Sequence, residues 1–189
     1  MDATGVIVGI DEAGRGPLAG PVIAAAVILN PGTAISGLTD SKRLSAARRS
    51  KLYELIHERA LSIGLGRADV EEIDRINILQ ASLLAMKRAF TAMDMMPDHA
   101  LVDGNHCPGL GCSVEPVVNG DSLIPSISAA SIIAKVYRDR EMIELDRRYP
   151  GYDFARNKGY PTRAHIDALH RLGVTPVHRR SFRPVADCL

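Results

Sequence analysis

Two adjacent carboxylates, Asp11 and Glu12, leave the short apolar run Val6–Ile10 and enter a glycine-lined turn, Gly14-Arg15-Gly16-Pro17. Carboxylates are hard oxygen ligands suited to Mg²⁺ or Mn²⁺, and glycine, with no Cβ, lets a ligand come close to the main chain. A metal ion and a phosphodiester could meet at such a place. Two further acids fall at expected element boundaries: Asp103 follows the strand Ala100–Val102, and Asp121 precedes a long helix. Taken singly, each of these is more often a helix cap or a turn former. If the acids converge within about 4 Å, like-charge repulsion of order 4 kcal/mol per pair at an effective dielectric near 20 calls for a compensating cation. Two divalent ions would meet that demand. Ions roughly 3.5–4 Å apart activate a water for in-line attack on phosphorus and stabilise the departing oxyanion, with no protein nucleophile.

The elements that must carry these residues are read from hydrophobic periodicity. Gly5–Ile10 is expected as a strand and Pro21–Leu29 as a second, apolar on both faces and therefore central. Ser45 stands where an N-cap belongs, ahead of a helix in which Leu52, Leu55, Ile56 and Ala60 recur at helical spacing. Leu61–Arg67 is a third strand, and Ile78, Leu79, Leu83, Met86, Phe90 and Met93 mark a helix that closes before Pro97. Val114–Val118 is a fifth strand. A helix from Ser126 to about Arg148 begins with turns small enough for close packing, and a last helix, Thr162–Leu172, precedes the basic segment His178–Phe182. Strands that first cluster and then alternate with helices imply an α/β chain with a mixed central sheet flanked by helices.

Composition narrows the class. At 189 residues, 46% of them hydrophobic, the chain is expected to form one domain. No apolar run approaches the roughly 20 residues of a membrane span, and the opening residues lack the pattern of a signal peptide, so a cytoplasmic location without membrane partners is expected. Three cysteines, an odd number in a chain of this size, point to free thiols. From Ala134 onward there are 12 Lys and Arg against 7 Asp and Glu, and before it 11 against 15, so a basic tail flanks an acidic body. A dinucleotide fold is excluded because Gly14, Gly16 and Gly20 lead into a strand where that fold needs a helix. Neither a phosphate-loop lysine motif nor a Gly-x-Ser-x-Gly elbow occurs, and His106, Cys107 and Cys112 lack the matching second pair of a zinc site.

Seven collinear blocks resemble the motifs of ribonuclease HII, the bacterial type 2 ribonuclease H: Asp11–Pro21, Ser41–Ser45, Asp103-Gly104-Asn105, Gly120-Asp121, Ile127–Val136, Lys158–Thr162 and His178–Phe182. The resemblance spans nearly the whole chain. It implies a ribonuclease H-like fold over residues 1–189, with the segment from about residue 150 forming a small helical substrate-binding appendage. It further implies a monomeric endonuclease acting on RNA/DNA hybrids and on single ribonucleotides embedded in duplex DNA. The family acids map to Asp11, Glu12, Asp103 and Asp121, which would bind two Mn²⁺ or Mg²⁺ ions. By the same match Gly14, Arg15 and Gly16 would recognise the ribose 2′-hydroxyl largely through the main chain, and Tyr160 would pack against the following deoxyribose. The 2′-hydroxyl is what separates RNA from DNA at a site. Lys42 and Arg43, and also Arg179 and Arg180, are expected at phosphates, with packing against acids of the body as the alternative for the last two. The rival readings are a type 1-like ribonuclease H that needs a run of ribonucleotides and a catalytically silent nucleic-acid-binding subunit.

Overall fold

The computed structural model describes residues 5–189 and builds one five-stranded mixed sheet in the order β3-β2-β1-β4-β5. The strands are β1 (Ile7–Ala13), β2 (Val22–Leu29), β3 (Ala60–Ala68), β4 (His99–Asp103) and β5 (Ser113–Val117). β1, β2 and β3 pair antiparallel, whereas β4 runs parallel to both β1 and β5. Strand β2 lies inside the sheet between β3 and β1, as its two-sided apolarity implies, although the middle strand is β1. Its even residues Val22, Ala24, Ala26 and Ile28 face one layer, and Ile23, Ala25 and Val27 face the other.

Helix α2 (Val70–Thr91) covers the first layer with Ala81, Ala85, Met86, Ala89 and Phe90. Helices α1 (Ala46–Arg59) and α4 (Pro125–Arg148) cover the second, α4 contributing Ala129, Ala130, Ile132, Ile133 and Val136. The Ser45 cap is formed, its side chain accepting from Arg48 N–H. Beyond Arg148 the short helix α5 (Phe154–Asn157), α6 (Arg163–Leu172) and α7 (Arg183–Ala186) surround a third core of Met142, Leu145, Tyr152, Phe154, Leu169 and Val185. Among the described residues no helix is long and apolar enough to cross a membrane.

Three boundaries differ from the sequence expectation: Ala60, expected in the first helix, instead opens β3 opposite Leu29, and the other two bear on the site. Strand β1 does not stop at Ile10 but carries Asp11, Glu12 and Ala13 in register with Ala25, Ala24 and Ile23 of β2, so both acids lie inside the sheet. The second helix starts eight residues before Ile78. Asp69 N–H donates to the Glu72 carboxylate at 3.0 Å in a capping arrangement, and Asn77 then interrupts the helix at φ 68°. Asn77 Oδ1 accepts from Leu79 N–H and Gln80 N–H and re-caps the segment whose periodicity was visible.

Candidate active site

Alternation along β1 decides which way the two acids point. Val8 and Ile10 face α2, so Gly9 and Asp11 face α4 and Glu12 faces the α2 side. The parallel register Gly9↔Leu101 and Ile10↔Val102, continued by one residue, sets Asp103 beside Asp11 on the same face. Asp121 arrives from α3 (Gly120–Leu123), the turn that leads into α4. That approach needs Gly9, because a Cβ there would lie 2.2 Å from the Ser126 carbonyl carbon. Asp121 N–H donates to Asp103 Oδ1 at 3.2 Å, and Ser128 Oγ donates to the Asp121 carbonyl at 2.7 Å, tying α3 to α4. One carboxylate oxygen from each of Asp11, Asp103 and Asp121 lies within 4.8 Å of the others, the one such cluster among the described residues. Glu12 stands at the edge of this trio: its Oε1 accepts from Arg15 at 3.3 Å, while its buried Oε2 has no hydrogen-bond partner.

The cluster is electrostatically frustrated. Burial, then the charges of Glu12 and Asp103, hold the Asp11 carboxyl well above its ordinary range. Glu12 is raised by burial and by Asp103 against the opposing pull of Arg15, and Asp121 by burial and then by Asp103 and Asp40. Burial alone would lower the Lys42 ammonium, but the carboxylates of Asp11, Asp40 and Asp121 outweigh it and raise its pKa. The donor set is all oxygen, and its partnerless Glu12 oxygen is the kind of atom a hard divalent cation completes. These residues fit Mg²⁺ or Mn²⁺. Cys107, Cys112 and Cys188 are free thiols.

A cavity of about 530 Å³ opens beside the acids, lined by Glu12, Gly14, Arg15, Gly16, Lys42 and Tyr160, and also by Arg49, Lys135 and Arg138. Gly14 adopts φ 103°, and a Cβ there would meet Arg138 Nε at 2.1 Å, so the turn requires glycine twice over. Tyr160 is 41% exposed and stands next to Gly16, where a Cβ would lie 3.3 Å from its ring.

Two arginines lie beneath the turn. Arg179 is fully buried and donates to the carbonyls of Gly14, Arg15 and Gly20, which corrects its expected place at a phosphate or an acid. Arg138 is 1% exposed and donates to the carbonyls of Pro21, Ala19 and Lys158. Burial pushes the Arg138 guanidinium down to about 10; burial and the neighbouring Arg138 push Arg179 down to about 9, and both stay cationic at neutral pH. Arg180 is exposed, and its main-chain N–H donates to Asp74. Sequence reasoning missed Arg138, whose one signal was a lone cation among the apolar positions of α4.

A histidine pair holds the Tyr160 loop. The Thr175 amide can only donate, so His178 Nδ1 accepts from it at 3.0 Å; the Tyr160 carbonyl can only accept, so His165 Nδ1 donates to it at 2.9 Å. His178 Nε2–H must then donate to His165 Nε2, 3.1 Å away. Burial lowers both rings, and burial together with His165 takes His178 to about 4.

Comparison with known proteins agrees with this geometry. The sequence pattern of the family described as Ribonuclease HII matches residues 8–185. A ribonuclease HII of Coxiella burnetii is 58% identical over 180 residues, covering 95% of this chain and 89% of that protein. Among solved structures, the ribonuclease H2 of Pyrococcus horikoshii superposes with a TM-score of 0.81 at 26% identity, covering 96% of each chain. The ribonuclease HII of Archaeoglobus fulgidus, solved in a complex with PCNA, superposes with a TM-score of 0.72 at 25% identity, covering 92% of this chain and 93% of that one.

Proposed function

The chain belongs to the ribonuclease HII family of ribonuclease H hydrolases, and from that premise we propose that it is a monomeric endonuclease that cuts RNA strands paired with DNA, including 5′ of a single ribonucleotide in duplex DNA. The observation that carries this reading is the gathering of Asp11, Asp103 and Asp121 within 4.8 Å, with the partnerless Glu12 oxygen at their edge. Asp11, Glu12, Asp103 and Asp121 would hold two Mn²⁺ or Mg²⁺ ions. Bound there, such ions supply a water activated for in-line attack and charge to offset the departing oxyanion.

The chain's own residues choose the bond. The Gly14–Gly16 turn, bare of side chains at both ends, reads the ribose 2′-hydroxyl through main-chain groups, and the exposed Tyr160 ring beside Gly16 packs on the next sugar, so a junction of ribose and deoxyribose is what fits. Lys42, kept protonated by the surrounding carboxylates, is a phosphate contact. The segment from about residue 150, which carries Tyr160, serves as a substrate-binding appendage of a single catalytic domain. Because the 2′-hydroxyl is bound for recognition and does not attack, the products carry a 3′-hydroxyl and a 5′-phosphate.

The test is cleavage of a DNA duplex containing one ribonucleotide, with and without Mn²⁺ or Mg²⁺, with the cut mapped and the ends identified. Metal-dependent cutting 5′ of the ribonucleotide is expected. A 2′,3′-cyclic phosphate contradicts the reading, a requirement for several consecutive ribonucleotides favours the type 1-like activity, and binding without turnover favours a silent subunit.

A further inference from the structure

The glycine turn facing the cavity takes its orientation from beneath. Arg179 Nη2 donates to the Gly14 carbonyl at 2.6 Å, Nη1 to the Arg15 carbonyl at 2.9 Å, and Nε to the Gly20 carbonyl at 3.0 Å. In a trans peptide the C=O and N–H of one plane point in opposite directions, and no described peptide bond is cis. Pinning the Gly14 carbonyl inward therefore turns Arg15 N–H away from Arg179, and pinning the Arg15 carbonyl does the same to Gly16 N–H. The same relation is completed at Ala19: Arg138 Nη2 takes its carbonyl at 3.1 Å, and the N–H of the same plane, on Gly20, reaches the Val177 carbonyl at 2.9 Å on the other side. The amides of Arg15 and Gly16 have no such acceptor among the described residues, and both residues line the cavity. They are two successive donors turned away from Arg179 and left without an acceptor, on residues that line the space a substrate would fill.

The chemistry of the guanidinium makes this more than packing. Arg179 is 0% exposed, so it cannot reach a phosphate. Its rigid planar fork spans three carbonyls at once, which a lysine ammonium on a flexible stem does not reproduce. A cation on a carbonyl also polarises the peptide and strengthens the N–H at its other end as a donor. We infer that Arg179 is a positioning residue for ribonucleotide selection: it aims the Arg15 and Gly16 amides at the ribose 2′-hydroxyl without touching substrate. This rests on the reading of the turn as the 2′-hydroxyl contact.

The experiment measures Kd by fluorescence anisotropy, in Ca²⁺ buffer, for two DNA duplexes identical except for one ribonucleotide. The wild-type chain should hold the ribonucleotide duplex more tightly. Arg179→Lys should shrink that preference by about tenfold, the scale of a lost or misaimed hydrogen bond, and leave the Kd for the all-DNA duplex unchanged. A variant that weakens both duplexes in parallel, or keeps the preference intact, overturns the inference, since the first outcome is what a purely structural arginine gives. Should Arg179→Lys not fold, Arg179→Gln, which retains a donor for one carbonyl, is judged by the same ratio. In the wild-type chain, moreover, the Arg15 and Gly16 amide NMR signals should shift with the ribonucleotide duplex and not with the all-DNA one; equal shifts overturn the inference without any variant. Equal affinity of the wild-type chain for both duplexes would sink the 2′-hydroxyl reading itself, a result separate from any effect at Arg179.

Discussion

Gly9→Ala tests how the acids are brought together. A Cβ at position 9 would lie 2.2 Å from Ser126 C, 2.3 Å from Ile127 N and 2.6 Å from Ser126 O, all main-chain atoms that no side-chain rotation can clear. To restore van der Waals contact the start of α4 must retreat from β1 by about 1 Å or more. The same helix buries Ala129, Ala130, Ile132 and Ile133 in the core, so the retreat loosens that layer as well. Overpacking of this kind costs about 1–3 kcal/mol, and at roughly 2–4 °C per kcal/mol for a chain of this size the melting temperature should fall by about 2–12 °C. The catalytic effect should be larger than the stability effect suggests. Asp121 is tied to α4 through Ser128 Oγ, so it moves with the helix while Asp11 and Asp103 stay with the sheet. A misplacement of about 1 Å in a catalytic constellation can cost about 10²-fold in rate. Circular dichroism melts and steady-state cleavage of a single-ribonucleotide duplex in Mn²⁺ measure both, with a larger change expected in kcat than in KM: the displaced start of α4 carries the tie to Asp121, whereas Arg138, which braces the carbonyls of Ala19, Pro21 and Lys158 beside the turn and the Tyr160 loop, lies about three helical turns further along. A variant that melts within about 1 °C of wild type and keeps kcat within about twofold would refute the reasoning.

Asp103→Asn keeps the Oδ1 acceptor for Asp121 N–H and removes one charge from the trio. In metal-free buffer its melting temperature should equal or exceed that of wild type, cleavage should be lost, and added Mn²⁺ should raise the wild-type melting temperature far more than the variant's; clear destabilisation in metal-free buffer would mark Asp103 as a structural cap instead. The buried histidine pair should make stability pH-dependent. His178 titrates near 4 in the fold against an ordinary 6.5, so the unfolded chain takes up the proton first as pH falls. Its contribution is complete above about 6.5 and is lost as pH drops toward 4, on the order of 3 kcal/mol across that window. Urea midpoints of wild type and His178→Asn should therefore differ most at pH 7.5 and converge toward pH 4.5, and a constant difference would contradict the assignment.

Much of the site was legible because its residues are set by chemistry and local pattern. Acids at strand ends, a glycine turn and an apolar central strand all carry signals within a few residues, and the structure gathers Asp11, Asp103 and Asp121 as expected. What escaped depends on partners distant in sequence. Whether Arg179 meets water or the carbonyls of Gly14, Arg15 and Gly20 is decided by residues about 160 positions away, and an arginine in a basic run reads as surface charge until those carbonyls are known. Gly9 looks like an unremarked strand residue because the helix that needs its missing Cβ begins far downstream. The first turns of α2 were missed for a different reason: Val70, Ile73 and Ile76 make too short an apolar stripe before the kink at Asn77 breaks the periodicity. Asp69-x-x-Glu72 was the local signal that could have marked their start.

The most direct measurement is anomalous diffraction from crystals of the protein soaked in Mn²⁺. The expected result is a peak bounded by carboxylate oxygens of Asp11, Glu12, Asp103 and Asp121, absent in Asp103→Asn crystals, with a second peak when a ribonucleotide duplex is bound. Manganese found only at other surface acids, with nothing between these four side chains, would contradict the claim that the fold assembles them to hold the ions of a nuclease.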